Sequence, residues 1–438
     1  MNKITVIGGG LAGCEAAWQI AGRGIKTELI EMKPAKKSPA HKSEMLAELV
    51  CSNSLKAARV DSAAGLLKEE MRRLNSLCLS AADECAVPAG GALAVDRDEF
   101  SRIITDKIKS HPNITVRTET VTEIPRDRIT VIATGPLTDG ALAEEIGKLC
   151  EGGNLSFFDA AAPIVTAESI DMEKAFYASR YGKGTDDYIN CPMNKEEYTA
   201  FHNALINAES APVHGFDRPI NVYEGCMPIE ILAKRGEDSI RFGPLKPVGL
   251  KDPRTGHRPW AAVQLRRENA AATLFNIVGF QTNLKFPEQK RVFSMVPALK
   301  NADFVRYGVM HRNTFIDSPR LLNSDFSFRE RENLFFAGQI TGVEGYMESA
   351  SSGILAGLNM ALRLEGKETL SLPENTMMGA LSHYISDPTV TNFQPMGANF
   401  GVLEAIEPKI RDKKERYAAL SERALGLLDN YLKERGLL

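Results

Sequence analysis

The chain has 438 residues, 43% of them hydrophobic and 25% charged, with a formal net charge of −3. That balance is ordinary for a globular protein. No apolar run approaches the roughly 18 residues of a membrane span, and the first residues do not form a secretory signal, so a cytoplasmic location without membrane contact is expected. The length exceeds one typical core and implies two domains or one domain with a large insertion. Seven scattered cysteines, at 14, 51, 78, 85, 150, 191 and 226, contain no C-x-x-C pair. This spacing argues against a disulfide framework and a metal site, and most of these thiols should be buried and inert.

The first element is the most informative. An apolar strand, Ile4-Thr5-Val6-Ile7, runs into Gly8-Gly9-Gly10-Leu11-Ala12-Gly13, a G-x-G-x-x-G loop, and a helical pattern follows from Leu11 to Arg23. Such a loop needs Gly8 for the turn, Gly10 for close approach to a pyrophosphate and Gly13 for helix–strand packing, with the helix N-terminus facing the phosphates. A second strand, Lys26 to Glu31, ends in an acid 18 positions after Gly13, near the spacing of a ribose-binding carboxylate. Strand, loop, helix, strand and acid in this order predict a dinucleotide site.

Further along, Glu44–Lys56 is an apolar segment opening into a small polar turn at Cys51. Leu66 to Cys78 carries one apolar stripe and reads as a helix, and Asp98 reads as the N-cap of a helix through Ile108. Arg128–Pro136 is a buried strand ending in Ala133-Thr134-Gly135, as in FAD-dependent Rossmann-type proteins. From about Ala167 to Pro297 the β-α alternation is lost. Between Lys234 and Arg312 there are 15 Lys/Arg against 6 Asp/Glu, a local +9 that fits a polyanion footprint or a scattered solvated face. Asn333–Gln339 then gives an apolar strand ending in Ala337-Gly338, and a small-residue helix follows from Ser349 to Leu364. The pairing of an early G-x-G-x-x-G with a late strand–Gly–helix favours FAD over NAD. The charged tail from Pro408 has Tyr417, Leu420, Ala424, Leu427, Leu428 and Tyr431 at helical spacing and reads as an amphipathic helix packed on the body. The expected fold is α/β. A Rossmann-type FAD-binding domain (1–166 and 298–438, the latter with the C-terminal helix) is interrupted by an inserted α+β domain (167–297).

Two cysteines stand out by neighbourhood. Cys51 lies in Val50-Cys51-Ser52-Asn53-Ser54 with Lys56 close by, and Cys226 lies in Tyr223-Glu224-Gly225-Cys226-Met227-Pro228 with Lys234 and Arg235 downstream. Cationic neighbours and exposed turns favour thiolate reactivity, whereas burial as an inert thiol is the commoner fate of cysteine.

The stretches GGGLAG at 8–13, ELVCSNSLK at 48–56, VPAGGALAVDRDEF at 87–100, YEGCMPIE at 223–230, YGVMHRNTFI at 307–316, LFFAGQITGVEGYMESASSGILAG at 334–357 and NFQPM at 392–396 carry a resemblance over nearly the full length. Together they resemble the folate- and FAD-dependent tRNA uracil-5-methyltransferases. The resemblance implies C5 methylation of uridine 54 in the T-loop of tRNA. The carbon would come from 5,10-methylenetetrahydrofolate and the electrons from NAD(P)H through FAD. It implies Cys226 as the nucleophile at C6 of uracil, a form of covalent catalysis, and Cys51 beside the flavin as a proton carrier or protector of the carbon-loaded flavin, a division that could be reversed. It also implies FAD contacts from Gly8, Gly9, Gly10, Leu11, Ala12, Gly13, Glu31, Thr134, Gly135, Gly338, Gln339 and Tyr346, the last stacking on the isoalloxazine. The partners are then tRNA through its T-arm, folate and reduced nicotinamide, with no protein partner evident. Arg254, Arg258, Arg266, Arg267, Lys285 and Arg312 would frame the RNA surface, and His311 has either a substrate or a structural role. The same chemistry on an rRNA uridine, a thiol–flavin redox protein and a non-catalytic flavin-binding module are the alternatives. The larger wobble-uridine-modifying flavoprotein would need a long helical C-terminal domain beyond Leu438.

Overall fold

A computed structural model describes residues 4–38, 40–150, 155–182, 185–212, 227–391 and 393–437, with backbone alone at 155–159 and 311–312. Its first sheet has six strands in the order Ser327–Phe328, Arg331–Phe336, Ile129–Ile132, Ile4–Ile7, Thr27–Glu31 and Ile114–Thr118. All neighbours pair in parallel except the short hairpin at the first edge. The central strand Ile4–Ile7 is buried throughout. A run of apolar, β-branched residues suits a parallel strand covered on both faces.

The second sheet is wholly antiparallel, in the order Phe176–Tyr177, Ile189–Met193, Ala261–Arg267, Leu274–Ile277, Ile164–Thr166 and Phe304–Arg306. It takes strands from both sides of the 167–297 segment. Its own core includes Tyr198, Phe201, Phe275, Phe280 and Phe293. A two-stranded ribbon, Leu155–Ala160 against Met310–Phe315, carries the chain out to this body and back. A small third sheet of Ser54–Ala57, Ala92–Val95 and Ala86–Val87 sits beside the Cys51 turn.

The structure corrects several sequence expectations. The helix expected from Leu66 to Cys78 is two helices, Ala63–Arg73 and Leu77–Glu84. Asn75 breaks them with a φ of +53°, and Ser76 caps the second by accepting from Leu79 N–H. An N-cap hydroxyl satisfies one of the orphan N–H groups of the first turn, which apolar periodicity does not register. The next helix spans Arg97–Ser110 and is capped by Asp96, with Asp98 inside its first turn. The late helix begins at Tyr346, three residues early, so Tyr346 is its first residue. The C-terminal helix, Lys413–Glu434, buries Leu420, Ala424, Leu428 and Leu432, while Leu427 stays exposed.

The helix Leu11–Gly22 lies between the parallel sheet and the late helix Tyr346–Leu364. A Cβ on Gly353 would fall 2.2 Å from the Ala12 carbonyl oxygen, and one on Gly357 would fall 2.6 Å from that of Ala16. Both separations are below any real contact, so the two helices meet backbone to backbone. Gly353→Val should force them apart at a cost of about 1–3 kcal/mol or more. The expected result is a lower Tm together with reduced flavin content in the purified protein, read by thermal denaturation and absorbance.

Candidate active site

The glycine loop is shaped by sterics. Gly8 has a φ of +104°, and its N–H donates to Ile30 O at 2.8 Å. A Cβ on Gly13 would sit 1.8 Å from Gly8 O, whereas a Cβ on Gly10 would meet nothing within 4 Å. Gly10 therefore faces open space at the N-terminus of the first helix, where no side chain caps the backbone N–H groups. That arrangement leaves donors and the positive end of the helix dipole facing outward for an anion. Glu31 braces the loop: one carboxylate oxygen accepts from Gly9 N–H at 2.6 Å and the other from Lys33 N–H at 2.9 Å.

A cavity of about 280 Å³ opens over this loop. Gly8, Gly9, Gly10, Leu11, Ala12, Glu31, Thr134, Gly135, Gly338, Gln339 and Tyr346 all line it. Gly13 does not, since it faces the strand it packs against. Gly338 has a φ of +87°, and a Cβ there would lie 3.1 Å from the Ala12 methyl, so the late strand meets the first helix at the cavity. Open backbone at Gly10, an uncapped helix start and a second strand–glycine turn fit a flavin dinucleotide. The stretch Glu119–Thr122 also forms part of the wall, and nothing in its sequence had marked it.

A second cavity, about 320 Å³, adjoins the first and holds Cys51, Ser52, Lys56, Gln281, Asn313 and Glu348. Val50, Pro136, Leu137, Gln339 and Tyr346 line both cavities. The Tyr346 hydroxyl accepts from Cys51 N–H at 2.6 Å and Ser52 N–H at 3.1 Å. Burial, and after it Cys51, push its phenol above the ordinary tyrosine range. Tyr346 thus ties the cysteine turn to the start of the late helix.

Three arginines grip the same turn. Arg97 donates to Leu49 O and Arg306 to Val50 O. Arg266 donates to Ser52 Oγ at 2.7 Å and to Asn53 Oδ1 at 3.1 Å, while Asn53 Nδ2 donates to Val95 O at 2.9 Å and Arg267 O at 3.0 Å. Lys56 Nζ pairs with the buried carboxylate of Glu348 at 2.6 Å. Sequence reasoning missed Arg97, Arg306 and Glu348; the one available signal was that Glu348 follows Tyr346 by two residues.

Cys51 alone among the six described cysteines is half-buried. Burial pushes the thiols of Cys85, Cys150 and Cys191 up to about 12, and those of Cys14 and Cys78 are also raised by burial. Cys226 lies outside the described residues, as do the side chains of His311 and Arg312. Its flanks are described: Ala211 N–H donates to Asn283 O and Ile229 N–H to Gln281 O, each at 2.7 Å. Both described flanks thus meet Gln281–Asn283, and Gln281 lines the Cys51 cavity.

The expected RNA surface needs correction. Arg266 is buried and belongs to the Cys51 turn. Arg254 is tied to Asp252 at 2.7 Å, Lys285 is paired with Glu209, and Arg267 is half-buried. Arg258 remains exposed. The net charge of the segment does not register Glu209, which folding brings to Lys285 from outside it, nor the burial of Arg266. Arg266→Ala should strip partners from Asn53 and Ser52, at about 1–3 kcal/mol for buried polar groups left unpaired. The variant is expected to lose stability and activity while keeping the wild-type salt dependence of RNA binding. Tyr346→Phe should retain flavin, because the ring remains, yet speed alkylation of Cys51 by iodoacetamide as its turn loosens; Tyr346→Ala should lose flavin as well.

A family model described as glucose inhibited division protein A matches residues 3–368. A methylenetetrahydrofolate--tRNA-(uracil-5-)-methyltransferase TrmFO from Acetivibrio thermocellus is 61% identical over 432 residues, covering 99% of each chain. One of the same name from Lactobacillus gasseri is 56% identical over 437 residues, covering 100% of each. Among solved structures, Aquifex aeolicus GidA superposes with a TM-score of 0.69 at 17% identity, covering 99% of this chain and 78% of that one. That likeness supports the Rossmann-type flavoprotein fold.

Proposed function

This chain belongs to the family of methylenetetrahydrofolate--tRNA-(uracil-5-)-methyltransferases, and from that premise we propose how its residues divide the reaction. It is an FAD-dependent enzyme that methylates C5 of a tRNA uridine with carbon from 5,10-methylenetetrahydrofolate. The uridine is position 54 of the T-loop, the reductant is NAD(P)H, and the setting is the cytoplasm, in keeping with six free described thiols. The observation that carries the residue assignment is the pair of adjoining cavities. One is built on the dinucleotide loop, the other contains Cys51, and Tyr346 stands in the wall of both.

FAD, when bound, supplies the two-electron chemistry that turns a methylene carbon into a methyl group. The chain holds it through the Gly8–Gly13 loop, the first-helix N-terminus, Glu31, Thr134–Gly135 and the Gly338–Gln339 turn. Cys226 is the nucleophile. Its thiolate adds to C6 of uracil, and the resulting enolate makes C5 nucleophilic enough to bond the one-carbon unit. Loss of the C5 proton with release of the carrier nitrogen leaves an exocyclic methylene on the ring. Hydride addition to that carbon expels the Cys226 thiolate, restoring the C5–C6 double bond and completing the methyl group. The tether of both flanks of the Cys226 segment to Gln281–Asn283 supports delivery of this residue to the Cys51 cavity. Cys51 serves proton transfer beside the flavin, in a turn held by Tyr346 and three arginines. Uracil in a stacked loop is inaccessible, so the base must leave its stack to enter.

Incubation with undermodified tRNA, methylenetetrahydrofolate and NADH should yield 5-methyluridine by nucleoside analysis, and product that required S-adenosylmethionine would overturn the reading. With 5-fluorouridine RNA, a covalent adduct should form in the wild type and in Cys51→Ala but not in Cys226→Ala. An adduct that survived only in Cys226→Ala would reverse the assignment.

A further inference from the structure

On the second body, beside the Cys51 cavity, three aromatic rings lie in one stack. Tyr307 is the middle ring. Phe286 stacks on it with centroids 4.9 Å apart and planes at 15°, and Phe304 stacks on it at 5.5 Å and 7°. Near-parallel offset stacking is a preferred aromatic geometry, but a run of rings that serves only packing is normally covered. Here Phe286 is 51% exposed and neighbouring Val305 is 48% exposed.

The stack is held rigidly. Phe286 opens the helix Phe286–Phe293, and Gln289 of that helix clamps the backbone just beyond Tyr307. The Gln289 Oε1 accepts from Gly308 N–H, and its Nε2 donates to Gly308 O, each at 2.8 Å. The stack is also joined to the cavity at two points. Arg306, the residue before Tyr307, donates to the carbonyl of Val50, next to Cys51. Two residues after Tyr307, Val309 O accepts from Ala161 N–H at 2.8 Å, and Ala161 lines the Cys51 cavity. Two residues span at most about 7 Å of chain, so the Tyr307 backbone lies close to the cavity wall. Arg306 also acts on the exposed Lys42, whose ammonium is held below its usual range by burial first, then by Arg306 and Arg97, against the opposing pull of Glu48, while Arg97 itself is paired with the buried Glu268.

We propose that the Phe286–Tyr307–Phe304 stack is a platform on which an unpaired base of the RNA, close in sequence to the target uridine, stacks while that uridine occupies the Cys51 cavity. The inference rests on the reading of tRNA as substrate. A pre-ordered aromatic surface next to cationic groups has the chemistry that single-stranded RNA recognition uses, with a π-face for a base and positive charge for the phosphates on either side. A base extruded from the T-loop leaves a neighbour without its stacking partner, and the platform replaces what that neighbour loses.

The test uses the full-length protein and an unmodified T-arm hairpin RNA. Alanine replacement of a stacking ring typically weakens binding by about tenfold. Phe286→Ala should therefore raise Kd for the hairpin by about that factor, and Phe286→Trp should restore it. Because no phosphate contact is removed, the slope of log Kd against log salt should match the wild type. Reduction of bound flavin by NADH and the Tm should be unchanged. Wild-type affinity in Phe286→Ala, or weakened binding that tracks a change in oligomeric state, overturns the platform and leaves the tRNA reading standing. A wild-type protein that bound no RNA and made no 5-methyluridine would overturn both.

Discussion

The contact on which the site depends is made by atoms that are not there. The missing Cβ atoms of Gly353 and Gly357 let the late helix rest on the carbonyls of Ala12 and Ala16. Because that helix begins at Tyr346, close approach of the helix bodies also sets where their N-termini lie. One start faces the dinucleotide cavity through Gly10 and the other brings Tyr346 to the same wall. Gly338, with a left-handed backbone and the Ala12 methyl beside it, fixes the strand that leads into this arrangement. Substituents at these positions would act at a distance, by changing the angle at which two helix ends meet.

The Cys51 turn is organised by a different principle. Its carbonyls, its amides and the side chains of Ser52 and Asn53 are taken up by Arg97, Arg266, Arg306 and Tyr346, which come from four separate parts of the chain. Arg266 belongs to the second sheet and Tyr346 to the late helix, so the turn records the docking of the two bodies on each other. Hydrogen bonds from charged donors are roughly twice as strong as neutral ones. They suit a half-buried thiol that must stay accessible without letting its backbone wander.

The glycine loop was legible in the sequence because its demands are local. A tight turn and a close strand require glycine whatever surrounds them, and Gly8 and Gly13 sit where that reasoning put them. The late strand and Gly338 were legible for the same reason. What escaped was set by partners far away in the chain. Asn75 breaks an apolar stripe that periodicity alone reads as continuous, and Asp96 outcompetes Asp98 as a cap because helix geometry begins two residues earlier. Arg266 was counted toward a surface because its charge is visible in the sequence, while Ser52 and Asn53, which draw it inside, lie more than two hundred residues away. The second cavity is assembled from the Cys51 turn, Gln281, Asn313 and Glu348, and no window of sequence contains them together.

The ribbon of Leu155–Ala160 and Met310–Phe315 places the outgoing and returning chains side by side, in antiparallel register over six residue pairs. An insertion whose ends are already adjacent asks little of its host, because the host chain would close across that gap without it. The second body is in this sense a cassette. Changes to its outer surface need not disturb the sheet and glycine loop beneath, whereas changes at Arg266 or Arg306 reach the Cys51 turn directly.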